Sequence, residues 1–201
     1  MICHKHKCIF IHIPRTAGTS IESSIRPGWN FKNLGTDLFK QKHTLASTAK
    51  HLYKEYWNDY FKFSFVRNPW GRMLSMSQYK NFYGCIIKDG KLDISKYMQE
   101  HSGVEIDPRS KSNTENIKPI KNAVYLNILN EELDFIGRFE NLQEDFSKVC
   151  SIINCENKLL HKEINETKHK HYTEYYDDET RQIVAKKYAK DIEYFNYKFG
   201  E

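Results

Sequence analysis

The sequence predicts an α/β fold, a mostly parallel central sheet flanked by helices. Three observations predict it. Residues 8–25 read as strand, loop and helix; residues 61–83 repeat that order; and a short strand at 135–138 is followed by a helix with one apolar face. Strands that alternate with helices pair in parallel, because each connecting helix carries the chain back across the sheet. The 201 residues are 39% hydrophobic and 14% aromatic, enough for a packed core in one domain, and residues 1–201 are read as a single domain.

Each element has its own local signature. Residues 8–13, Cys-Ile-Phe-Ile-His-Ile, are rich in β-branched and aromatic side chains and stop at Pro14. A loop follows over 14–18, and Thr19 or Ser20 is expected to cap a helix that runs through Ile21 and Ile25 to Pro27-Gly28. A helix is expected over 43–56, with Leu45, Ala49, Leu52, Tyr53 and Tyr56 on one face. Residues 61–66, Phe-Lys-Phe-Ser-Phe-Val, form the next strand. Asn68 then suits an N-cap and Pro69 the first helical position, where a missing N–H costs nothing, so a helix continues through Met73, Leu74 and Ser77 toward Tyr83.

Residues 84–122 are polar and irregular, with Asp89-Gly90 and Asp107-Pro108. They read as loops with one short helix near 94–100. This stretch is either a plain connection or an insertion that sets specificity for an acceptor. After the strand at 135–138, Leu142, Phe146, Val149, Cys150 and Ile153 mark the inner face of a helix. A last helix over 178–194 carries Ile183, Val184, Tyr188 and Ile192 as its apolar stripe.

Composition excludes several classes. A net charge of +5, spread along the chain, is too small and too diffuse for a dedicated nucleic-acid binder and suits small anionic ligands. The five cysteines are odd in number and form no disulfide framework, which points to a reducing compartment. The run Cys3-His4-Lys5-His6-Lys7-Cys8 resembles half of a metal site but lacks a second ligand pair, so no metal is expected. No apolar run is long enough to span a membrane, and the short one at 8–13 is interrupted by His12, which does not suit a signal peptide. The expectation is a cytoplasmic protein with no stable membrane insertion.

Two loops carry the chemistry. In Pro14-Arg15-Thr16-Ala17-Gly18-Thr19-Ser20, a strand end meets a helix start, where backbone N–H groups and the positive helix end attract an anion. Gly18 permits close backbone approach, Arg15 adds fixed charge, and Thr16, Thr19 and Ser20 carry hydroxyls. No lysine stands between Gly18 and Thr19, so this is not a Walker A loop, and a Mg²⁺-dependent nucleotide kinase is the weaker reading. In the second loop, Arg67-Asn68-Pro69-Trp70-Gly71-Arg72-Met73-Leu74-Ser75, Arg67 and Ser75 can bind a second phosphate.

These segments resemble those of the carbohydrate sulfotransferases that use 3′-phosphoadenosine-5′-phosphosulfate (PAPS). Residues 11–20 are similar to that family's 5′-phosphosulfate loop, and residues 66–75 to its 3′-phosphate motif. Residues 136–142, 172–176 and 191–197 resemble further segments in the same order. The resemblance implies a P-loop-like sulfotransferase fold. It also implies that residues 15–20 hold the phosphosulfate and that Arg67 and Ser75 hold the 3′-phosphate, with 3′,5′-adenosine bisphosphate (PAP) as product. The family's loop usually carries lysine where this chain has Arg15, and arginine presents a planar fork in place of a point charge. A segment like Lys168-His171-Tyr172 closes over the nucleotide in the family; taken by itself it is a solvated basic turn.

Sulfuryl transfer needs in-line positioning, charge stabilisation and a base for the acceptor hydroxyl. His43 is the first candidate base and Glu140 the second, with Arg15 as the third catalytic group. The resemblance favours a carbohydrate acceptor, on an oligosaccharide, polysaccharide or glycolipid head group. Two other readings of the residues stand beside it: a P-loop kinase of nucleotides or metabolites, and a noncatalytic anion-binding module whose affinity would fall steeply with salt.

Overall fold

A computed structural model describes residues 1–26, 43–78, 85–95, 124–159 and 170–201. In chain order the elements are β1 (Ile2–Cys3), β2 (Cys8–Ile11), α1 (Gly18–Ile25), α2 (Ala46–Leu52), β3 (Phe61–Val66) and α3 (Pro69–Ser77). There follow β4 (Ile86–Lys88), β5 (Lys91–Asp93), α4 (Tyr125–Ile128), β6 (Phe135–Arg138), α5 (Leu142–Ile153), α6 (Asp178–Lys187) and α7 (Ala189–Phe195). Short 3₁₀ turns stand at Phe139–Asn141 and Tyr172–Tyr175. The chain divides into two compact units, residues 1–66 with 105–162 and residues 67–104 with 163–201.

The first unit holds the four-stranded sheet, ordered β1-β2-β3-β6. Strands β2, β3 and β6 are parallel and β1 is antiparallel to β2, so the expected mixed α/β fold with a mostly parallel sheet is present. Side chains alternate across it. Cys8, Phe10, Phe63 and Phe65 share a core with Ile21 and Ile25 of α1 and with Phe146, Val149, Cys150 and Ile153 of α5. Ile9, Ile11, Ser64 and Val66, which point the other way, are buried too. Strands buried on both faces read as near-continuous apolar runs, and this is why β2 and β3 were legible.

Several boundaries differ from the sequence reading. Strand β2 ends at Ile11, and His12 and Ile13 are buried beyond it. Neither Thr19 nor Ser20 caps α1: the helix already begins at Gly18, after Ala17 in the left-handed conformation, so both lie in its first turn. Helix α2 stops at Leu52 and passes into turns. Its buried residues are Ala46 and Ala49, followed by Tyr53 and Trp57, whereas Tyr56 is exposed. The proposed stop at Pro27-Gly28 lies outside the described residues.

The second unit contains α3, the β4–β5 hairpin, the 3₁₀ turn at 172–175, α6 and α7. The described part of the polar middle region is no loop. Ile86 pairs with Asp93 and Lys88 with Lys91 around Asp89-Gly90, both of positive φ (50° and 77°). That is the two-residue turn whose twist suits a hairpin, and Asp-Gly is its usual sequence. Lys91 Nζ donates to the carbonyls of Glu174 (3.2 Å) and Tyr176 (3.3 Å), tying the hairpin to the 3₁₀ turn. Of the short helix expected at 94–100, residues 96–100 lie outside the described residues, as does the rest of that region up to 123. The last helix is broken at Tyr188, whose fully buried side chain turns inward so that its hydroxyl meets Met73 Sδ at 3.9 Å.

Asn68 caps α3 as the sequence predicts. Its Oδ1 accepts from Trp70 N (3.1 Å) with Pro69 in the first turn, and its Nδ2 donates to the Lys198 carbonyl (2.8 Å). The side chain is buried, so Asn68→Ala loses the cap and strands a buried N–H and a part-buried carbonyl. We expect about 2–3 kcal/mol of destabilisation in urea unfolding, with Asn68→Asp recovering part of it through the cap alone. Equal losses for the two variants would mean that the cap contributes nothing.

Candidate active site

The first group of candidate residues is built on the carboxyl end of β2. The chain leaves the strand through buried His12, Ile13 and Pro14 and enters a loop in which Arg15 (φ 68°) and Ala17 (φ 64°) are left-handed while Thr16 between them is not. Backbone whose handedness alternates in this way turns successive N–H groups into one concavity, the nest geometry of phosphate loops. Helix α1 starts at Gly18, so the amides of Gly18, Thr19 and Ser20 belong to its first turn and point out of its N-terminal end. The Thr16 hydroxyl donates to the Ile13 carbonyl (3.0 Å) within the loop. Thr16 therefore holds the loop's shape, and what it offers an anion is its backbone.

Beneath the loop lies a buried pair that the sequence reading passed over. His12 Nδ1 sits 2.9 Å from Glu22 Oε1, with side-chain exposures of 3% and 1%. The His12 imidazole also occupies the space where any Cβ on Gly18 would fall. Gly18 and Glu22 are one helical turn apart on α1, so a single ring at the strand end packs against both. The signal was available: a glutamate four residues after the glycine, on an otherwise small and apolar helix face, has to find a polar partner when buried.

His43 completes this group. Its ring stands edge-on to that of His12 (centroids 4.5 Å apart, interplanar angle 83°), and its Nδ1 lies 3.0 Å from the His12 carbonyl. A carbonyl can only accept, so Nδ1 carries the proton. In the neutral imidazole the lone pair then belongs to Nε2. That is the tautomer a base acting through Nε2 needs, and it is set by the backbone at the end of β2. Glu140, the other candidate base, is exposed in the 3₁₀ turn that follows β6, at the carboxyl end of that parallel strand.

A second group of candidate residues belongs to the other unit and centres on the first turn of α3. A Cβ on Gly71 would lie 3.6 Å from Arg67 Nε and 3.6 Å from Tyr172 Cδ1, so the Arg67 side chain and the Tyr172 ring meet over this glycine. Ser75, buried, follows one turn later on the same face. Tyr172 is held in place by Gly200, whose N–H donates to its hydroxyl at 2.6 Å, and by the Phe199 ring at 5.5 Å. Arg67, Ser75 and Tyr172 are thus grouped in this unit. The His171 ring lies tilted against Tyr172 (centroids 4.6 Å apart) and pairs with the Thr173 hydroxyl (2.8 Å), while Lys168 lies outside the described residues.

Trp70 is a packing residue. Its indole N–H donates to the Arg181 carbonyl (3.0 Å), its ring abuts Phe199, and its own carbonyl accepts from the Tyr176 hydroxyl (2.9 Å). Burial pushes the Tyr176 phenol well above its usual pKa, so it stays a donor at any working pH.

Fold and site together define an α/β protein whose backbone N–H groups turn into one concavity where a strand gives way to a helix. Residues 1–198 match the model of the sulfotransferase family, and the chain belongs to that family. Membership makes it a transferase of sulfuryl groups and sets the kinase reading aside. No curated protein and no solved structure matches the chain. Among the described residues, no helix is long and apolar enough to cross a membrane, and no three metal-ligating side chains converge.

Proposed function

We propose that the chain transfers the sulfuryl group of PAPS to a hydroxyl of a carbohydrate, with no metal ion. The alternating backbone at Arg15-Thr16-Ala17, opening onto the first turn of α1, is the observation that carries this reading. It supplies several aligned N–H groups and one guanidinium to a single anion, as a 5′-phosphosulfate requires. The sequence around Arg67 and Ser75, with Tyr172 beside it, assigns the 3′-phosphate to the other group of residues.

In this reading His43 Nε2 takes the proton of the acceptor hydroxyl as its oxygen bonds to sulfur. The sulfur–oxygen bond to the 5′-phosphate breaks, and PAP leaves with the added negative charge. The loop amides from Arg15 to Ser20 and the Arg15 guanidinium stabilise that charge. The acceptor is an oligosaccharide, a polysaccharide or a glycolipid head group, met in the cytosol, and residues 84–122 take part in selecting it.

Binding decides the donor. PAP should bind much more tightly than AMP or ATP; equal affinities for all three would remove the assignment. His43→Ala should lower kcat by about 10²–10⁴-fold, with the Kd for PAP unchanged in calorimetry. An unaltered rate in that variant would move the base to Glu140, which Glu140→Gln then tests.

A further inference from the structure

Four of the five cysteines lie at the opposite end of the sheet and have no part in the chemistry above. They form two pairs of identical spacing, Cys3 with Cys8 and Cys150 with Cys155. Cys3 and Cys8 face each other across the β1–β2 ladder. The His6 Nδ1 in the turn between those strands lies 3.2 Å from the Ile153 carbonyl, which brings the hairpin to the C-terminal end of α5. There the second pair sits. Cys3, Cys8 and Cys150 share one core, and Cys155 packs against it.

The end of α5 brings the second pair together by its own geometry. Asn154 is left-handed (φ 51°), and the Cys155 N–H returns to the Cys150 carbonyl at 3.1 Å. This cap normally places an apolar contact between those two positions. Here the contact is sulfur to sulfur at 3.0 Å, with Cys155 partly exposed and Cys150 3% exposed. The backbone already holds the two side chains where a disulfide would join them. From Cys8 to His12 is four residues of extended chain, about 13 Å, so this pair is separate from the anion loop.

We propose that Cys150 and Cys155 form a thiol–disulfide exchange site that reacts with low-molecular-weight disulfides of the glutathione class. The partly exposed Cys155 sulfur attacks one sulfur of oxidised glutathione, and the first glutathione leaves with the proton from Cys155. Cys150 then attacks Cys155 in the mixed disulfide and releases the second glutathione with its own proton. Two protein thiols and one glutathione disulfide become one protein disulfide and two glutathiones. Cys3 and Cys8, 5% and 0% exposed, are shielded from so bulky a reagent.

The full chain is incubated with oxidised glutathione, its remaining thiols are alkylated, and the sites are mapped by mass spectrometry. The expected result is loss of two hydrogens and protection of Cys150 and Cys155 together, reversed by reduced glutathione. Cys150→Ser should strand a glutathione on Cys155. Cys155→Ser should carry no adduct at Cys150. Oxidation at Cys3 and Cys8 instead, no protection at all, or adducts on both single variants would overturn the proposal. The wild-type map needs no variant to fold, and none of these outcomes bears on sulfuryl transfer.

Discussion

Gly18→Ala should destabilise the protein and abolish high-affinity PAP binding, although alanine is normally the better residue in a helix by about 1 kcal/mol. The reversal comes from His12. A Cβ at position 18 would overlap its imidazole, and that ring has no room to retreat. It is 4% exposed, 2.9 Å from Glu22, 5.5 Å from the Phe10 ring and 4.5 Å from the His43 ring by centroid. Relief has to come from the backbone, which means moving Ala17-Gly18-Thr19 and with them the amides of the anion loop. Overpacking of this kind costs about 1–3 kcal/mol, and the displaced nest should cost PAP at least as much again.

Thermal unfolding and calorimetry test this directly. If Gly18→Ala is as stable as the parent, the ring does not fill that space. A second variant separates sterics from chemistry: in Gly18→Ala with His12→Ala, the clash disappears, and the double variant should be more stable than the sum of the single losses predicts. His43 turnover should not recover in that variant, because it depends on the His12 backbone and on the ring beside it.

The same residues show where sequence reasoning stopped. β3, β6 and the inner face of α5 were legible because burial writes directly into apolar spacing, and the Asn68-Pro69 start of α3 because capping chemistry is local. Arg15, Gly18, Arg67 and Ser75 are candidates singled out by charge, spacing and the family resemblance. The left-handed residues were not: nothing in Arg-Thr-Ala announces alternating φ, since alanine and arginine adopt it only when neighbours impose it. The helix start was therefore assigned to hydroxyl residues that lie inside α1. The His12–Glu22 pair was missed for a related reason. Its partners are ten residues apart and come together only once the strand, loop and helix have closed. The Asp89-Gly90 turn is a local signal, but its polar surroundings made it read as part of a loop and not as a hairpin.

Arg67→Ala tests the group of residues around α3, and the expected result is a loss of selectivity more than of binding in general. Arg67 leaves β3 and lies over Gly71 beside the Tyr172 ring. A guanidinium there can give a phosphate two charge-assisted hydrogen bonds of about 1.5–3 kcal/mol each, so removing it should weaken PAP by about 100-fold or more. AMP, which has no 3′-phosphate, should bind the variant and the parent alike. Arg67→Lys should recover only part of the difference, because a point charge does not reproduce the fork. Ser75→Ala should fall in the same direction by a smaller factor. The thermal midpoint should hardly move, since Arg67 is only partly buried and its neighbours in α3 keep their cap at Asn68. Should AMP and PAP lose affinity in equal measure, Arg67 shapes the pocket without touching the 3′-phosphate, and the donor assignment loses its selectivity for PAPS over a plain adenylate.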